Sequence, residues 1–303
     1  MIETYEFSSI EELMEFISPW GESTALDGYI FRGHSQEDFK LIPTALRPEC
    51  VDYFWKICGG RPIDNQYNWQ NWQVRAEYQI LRRFYRLADQ RGLEVPISNR
   101  MRSNLAQEFD FLGLNGLHDR DTWIPHDLLE TAALAQHYGI PTRLLDWTYD
   151  LYVALYFATR GALKKDGRLV VWALNKERLT FLKPTVNRVD IDFITPHYAG
   201  NPNLNAQKGL FTHWSIELPS HFDEVKNITE TGATLTDRRP LDEQIQTQMA
   251  ANETINIFKR LVLPCSEAKK ACKILDRLGY DSARIFPGYH GVSEQILNQH
   301  RYY

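Results

Sequence analysis

The segment YVALYFATRGA at 152–162 constrains this chain most, because it is apolar almost all round and a helix of that character is stable only where a fold buries it. Its flanks are equally definite. Upstream, Asp127 followed by Glu130 reads as an N-cap with its reciprocal acid, Leu128 to Tyr138 as a helix, and Gly139 followed by Pro141 as its stop. Downstream, Asp166-Gly167 turns the chain into Arg168 to Leu174, whose Leu-Val-Val-Trp run reads as a buried strand. Between the two helices PTRLLDWT at 141–148 reads as a loop. An isolated buried charge costs several kcal/mol, so Arg143 and Asp146, three apart in that loop, are expected to pair and brace the helices.

Ser8 and Ser9 each stand three residues before an acid, Glu11 and Glu12, which starts a short helix through about Ile17. Tyr29-Ile30-Phe31 reads as a strand that delivers Arg32 and Gly33 at its end. Val74, Tyr78, Leu81, Tyr85 and Ala88 mark an amphipathic helix ending near Gly92, with Arg75, Arg82, Arg83 and Arg86 on its exposed faces. Later, Leu210 to Leu218 and Phe258 to Leu263 read as strands, and 219–254 as a polar excursion or lid. Ser266 is then expected to cap a helix to Leu278, with Ala268, Cys272, Leu275 and Leu278 as its buried stripe, before a last strand and turn at 284–288.

With 303 residues, 43% of them hydrophobic, the chain is expected to form one domain over 1–303. The fold class is α+β: a small mixed sheet from strands near 28–33, 167–174, 208–218, 257–263 and 283–287, flanked by helices. Residues 35–125 form a mainly helical insertion. Alternation is too irregular for a doubly wound parallel sheet.

A net charge of −5 gives no field drawing the protein to phosphate backbones, so general nucleic-acid binding is not expected. No run approaches about 18 uncharged apolar residues, so no membrane partner is expected and the cytoplasm is the default compartment. Cys50, Cys58, Cys265 and Cys272 lack zinc-knuckle spacing and read as free thiols.

Phe31-Arg32-Gly33, LAQHYGIPTRLLDWT at 134–148 with ALYFA at 154–158, AQKGLFT at 206–212 and IFPGYHGVS at 285–293 together resemble the successive signatures of the FRG domain family, named for its Phe/Tyr-Arg-Gly motif. The resemblance runs from about 30 to 293. It implies a bacterial or phage-associated protein of conflict systems, a toxin or antiviral effector, with a distant fold-level likeness to ADP-ribosyltransferases.

In many ADP-ribosyltransferases an Arg on the first core strand anchors the dinucleotide, and Arg32 with its following Gly33 resembles it. An Arg fork holds a diphosphate bidentately, as a Lys cannot. The resemblance thus implies NAD as substrate, held by Arg32, Gly33, Arg143 and Gln207, and transferred to a macromolecular acceptor that the sequence does not name. Glycosidic cleavage develops positive charge, which needs a carboxylate and stacking surface. Asp146, His137 and Glu217 are the catalytic candidates, with Trp147 and Tyr138 as aromatic surface. Plainer roles stand beside these: His137 capping its helix, Gly33, Gly139 and Gly209 as turn or cap glycines, Gln207 as a backbone strut. Two other functions remain open. One is a ligand-sensing or interaction module binding through Arg32 and Arg143; the other is a metal-dependent hydrolase or nuclease using Asp146 with His137 or His213, although no metal is expected because H-E-x-x-H spacing is missing. In all of them Arg32, His137, Arg143, Asp146 and Gln207 are expected to converge in one cleft.

Overall fold

The computed structural model describes residues 2–18, 26–57, 66–103, 105, 122–182, 189, 191–199, 201–217, 237–249 and 256–299. Its strands are β1 Ile2–Glu6, β2 Tyr29–His34, β3 Thr122–Trp123, β4 Leu144–Thr148, β5 Arg168–Asn175, β6 Ile191–Ile194, β7 Gly209–Trp214, β8 Ile216–Glu217 and β9 Phe258–Pro264. Seven form one mixed sheet in the order β1-β9-β5-β2-β4-β7-β6, in which β1 and β9 run parallel and every other pair antiparallel. β3 and β8 pair separately.

The helices are α1 Ile10–Ile17, α2 Pro48–Ile57, α3 Gln66–Gln90, α4 Asn99–Arg102, α5 Leu129–His137, α6 Leu151–Ala162, α7 Lys176–Leu182, α8 Pro202–Ala206, α9 Leu241–Gln248, α10 Ala268–Arg277, α11 Ser282–Ile285 and α12 Tyr289–Gln299. The architecture is α+β. The continuous apolar run of β5 follows from its place inside the sheet: Leu169, Val171 and Ala173 pack with α6 and α10, while Val170, Trp172 and Leu174 fill the opposite layer. α6 is buried as its composition requires, and Asp150 caps it by accepting from the Tyr152 N–H at 3.1 Å.

Several expectations change. Residues 144–148 are not loop but β4, and Leu144 joins one core layer while Leu145 and Trp147 join another. Asp127 does not cap α5. A 3-10 turn, His126–Leu128, leads into the helix, and Asp127 instead accepts from Ser98 Oγ at 3.2 Å. A second 3-10 turn, Cys265–Glu267, takes the place of a Ser266 cap, and Leu278, half exposed beyond the last turn, leaves the stripe to Ala268, Ala271, Cys272 and Leu275. The strand expected at 283–287 is α11 and a turn, because Asp281 accepts from the Arg284 N–H and starts a helix. Arg82 is buried rather than exposed, since it lies one turn after Tyr78 on the inward face of α3. The strand from Leu210 breaks into β7 and β8, with Leu218 outside the described residues. Of the excursion at 219–254, α9 is described; 219–236 and 250–254 lie outside the described residues. Cys50, Cys265 and Cys272 are free thiols; Cys58 lies outside the described residues.

Candidate functional site

β2 and β4 share a single registered pair, Phe31 with Thr148. Beyond it, towards Arg32 on one strand and Asp146 on the other, the sheet opens. Arg32 stands in for the missing ladder: its Nη1 donates to the Asp146 carbonyl oxygen at 2.8 Å and to Oδ2 at 3.3 Å. The guanidinium side chain is 16% exposed and the carboxylate 58%, so the cation forms the floor of the opening and the anion its lip.

Both groups are held from behind. Arg32 Nε donates to His34 Nε2 at 3.0 Å, which leaves His34 Nδ1–H to donate to the Phe39 carbonyl at 3.2 Å. Burial first, and then the positive charges of Arg32 and Arg47, push the His34 pKa down to about 3, so at neutral pH it is an uncharged acceptor. On the far side Gln136 Nε2 of α5 donates to Asp146 Oδ1 at 2.7 Å, and Thr142 Oγ1 donates to Gln136 Oε1. A carboxylate with one oxygen on a guanidinium and the other on an amide has a fixed plane and an open outer edge.

Gly33 faces the other way. A Cβ there would lie 1.9 Å from the Ala154 carbonyl oxygen, so β2 and α6 meet backbone to backbone and only glycine fits. The later motifs are tied into the same frame. Thr148 Oγ1 donates to the Gln207 carbonyl at 2.7 Å, Lys208 Nζ reaches Asp150 Oδ2 at 2.9 Å, and Gln207 Nε2 donates to the Ile285 carbonyl at 3.3 Å. Gln207 is therefore a strut behind the opening.

The expected pairing of Arg143 with Asp146 is not made. Arg143 sits one residue before β4, where its side chain turns into a buried cluster; its Nε donates to Glu77 of α3 at 2.7 and 3.0 Å, and both side chains are 4% exposed. Trp123 Nε1 and Gln73 Nε2 donate to the same carboxylate at 2.5 and 2.8 Å. Trp147 is buried and donates to Thr212, so it offers no stacking face, whereas Tyr138 is 69% exposed. His137 does not cap its helix: it lies on the next face of α5 from Gln136, 3.4 Å from Asn203 Nδ2, and burial lowers its pKa while Asp146 opposes the shift. His213 is buried and accepts from the Ile124 N–H at 3.2 Å. Glu217 pairs its backbone with Thr122 in the small sheet, and its side chain lies outside the described residues. Of the five residues expected in one cleft, the opening thus brings together Arg32 and Asp146. The sequence reading missed Gln136 and His34; each sits within two residues of one it chose.

A family model of the FRG domain matches residues 27–167. The chain carries an FRG domain. That span holds β2, β4, α5 and α6, so Arg32, Gln136 and Asp146 all belong to the FRG domain, while Gln207 and Ile285 brace it from beyond the matched span. No curated protein and no solved structure matches the chain. Among the described residues no group of three His, Cys, Asp or Glu side chains could hold a metal ion. Among the same residues no helix is long and apolar enough to cross a membrane.

Proposed function

We propose that the FRG domain binds a dinucleotide of the NAD class where β2 and β4 part, and consumes it as an ADP-ribosyltransferase or NAD glycohydrolase. The observation that carries this reading is the Arg32–Asp146 pair at the sheet opening. A diphosphate is a better partner for a guanidinium fork than one carboxylate oxygen at 3.3 Å, so the ligand takes Arg32 and releases Asp146. Gln136 keeps the released carboxylate in place. Cleavage of the C1′–nitrogen bond sends its electron pair to nicotinamide, and Asp146 steadies the cationic ribose until water or an acceptor hydroxyl attacks C1′ and gives up its proton. Incubation of the full chain with NAD, read for free nicotinamide and for labelled acceptor, tests this. Release that is lost in Asp146→Asn supports it; no release and no NAD binding overturn it.

Binding without turnover is the second reading. It is favoured by the closed Arg32–Asp146 pair, which a sensor would exchange for its ligand and re-form on release. NAD binding with no nicotinamide release selects it.

A further inference from the structure

We propose that the cavity bounded by α5, residues 94–97, residues 196–199 and residues 201–204 binds a small organic cation with an apolar body, an amine or guanidine on an alkyl stem. Its volume of about 510 Å³ lies within the range of small-molecule sites. One wall is a single stripe of α5, Glu130, Ala133, Leu134 and His137, spaced three and four residues apart. Leu204 closes the cavity from the other side, fixed where Asn201 Oδ1 accepts its N–H at 3.1 Å.

Charge selects the ligand. Glu94 and Glu130 line the cavity with His137 and His197, whose Nε2 lies 3.7 Å from Glu130 Oε1, and among the described residues no lysine or arginine lines it. Burial lowers the His137 pKa and so disfavours a compensating charge there, with Asp146 opposing the shift. Two carboxylates beside an apolar wall focus a negative potential, which draws cations and repels phosphates and carboxylates. Ile97, 87% exposed at the rim, gives an alkyl stem further apolar surface to cover. The site is separate from the sheet opening: Gln136 faces Asp146 from a different side of the same helix, and neither Arg32 nor Asp146 lines the cavity.

Calorimetric titration of the full chain with hexylammonium, hexanoate and hexanol decides the matter. Hexylammonium is expected to saturate one site, with Glu94→Gln and Glu130→Gln each weakening it about tenfold, and with hexanoate showing no binding. Ala199→Trp, at an exposed lining position, should block uptake without disturbing the fold. Hexanoate or hexanol binding as tightly as the amine overturns the proposal, as does an unchanged hexylammonium affinity in both Gln variants. Arg32→Lys should leave hexylammonium affinity unchanged, and an unsubstituted chain that consumes NAD but binds no hexylammonium sinks this inference alone.

Discussion

Arg32 donates one guanidinium nitrogen to both the backbone carbonyl and the carboxylate of Asp146, and so holds β2 and β4 together just where their ladder stops. A backbone ladder would leave nothing to exchange. A side-chain bridge at a sheet opening can be replaced by a ligand that offers the same acceptors, and the partly exposed carboxylate lies on the side such a ligand would approach.

Arg32→Lys tests whether the bridge is also an anchor. Arg32 spreads donors over His34 and Asp146, and an ammonium at the end of a straight stem cannot serve both. The variant should lose about 1.5–3 kcal/mol of stability and weaken dinucleotide binding about tenfold to hundredfold. Chemical denaturation and NAD titration on one preparation separate the two. A destabilised variant with native affinity would end the phosphate-anchor reading.

Gly33→Ala should be far worse for folding than its single methyl suggests. The added carbon meets backbone, the Ala154 carbonyl oxygen, and backbone inside α6 cannot rotate aside as a side chain could. A cost of about 3 kcal/mol or more is expected, read from urea unfolding midpoints. A loss below about 0.5 kcal/mol, within the range of ordinary surface substitutions, would mean that β2 and α6 are not in this contact.

What the sequence disclosed and what it hid have physical causes. α1 and α3 could be read from their period, because each buries one face, and α6, β5 and β9 from runs of apolar residues that only burial can hold. β4 was hidden because Leu-Leu-Asp-Trp-Thr sends apolar side chains to both faces and so shows neither period. That error hid the partners too: with 141–148 taken as a loop, Arg143 and Asp146 had only each other, whereas Glu77 and Arg32 reach them across 66 and 114 positions. Sheet register decides the Arg32–Asp146 pair and helix-on-sheet packing the Glu77–Arg143 pair, and no local pattern encodes either. α11 was hidden for a different reason, since the apolar Ile285-Phe286 pair before Pro287 outweighed the Asp281 cap that starts it.

His34 should make folding pH-dependent. Its pKa is about 3 in the fold against an ordinary 6.5, because burial and the Arg32 charge disfavour the imidazolium. Between those values the unfolded chain binds the proton and the folded one does not. The contribution is therefore fully present above pH 6.5 and lost as pH falls towards 3, at up to about 1.4 kcal/mol per pH unit. His213, pushed down to about 4 by burial and the nearby Arg143, adds a slope of the same sign. His34→Gln should flatten the stability profile between pH 6.5 and 4 by about half, measured by urea unfolding. An unchanged slope would place His34 outside the buried contact with Arg32.

The Glu77–Arg143 pair allows a double-mutant cycle in which the second substitution offsets the loss caused by the first. Glu77 accepts from Arg143, Trp123 and Gln73, and Arg238 Nη2 donates in turn to Gln73 Oε1 at 2.6 Å, so the carboxylate ties α3 to β3, to the start of β4 and to the chain before α9. Glu77→Leu leaves a buried guanidinium without its anion and should cost about 3–5 kcal/mol. Arg143→Met strands the carboxylate and should cost a similar amount by the same argument. The double variant removes both charges from a site flanked by Leu145 and the Trp123 ring, and apolar replacements of buried pairs are often neutral. It should therefore be more stable than either single variant, which requires a coupling of at least about 3 kcal/mol. Urea unfolding of the four proteins measures it. Additive losses would mean that each residue acts through other partners and that the pair does not tie α3 to the start of β4.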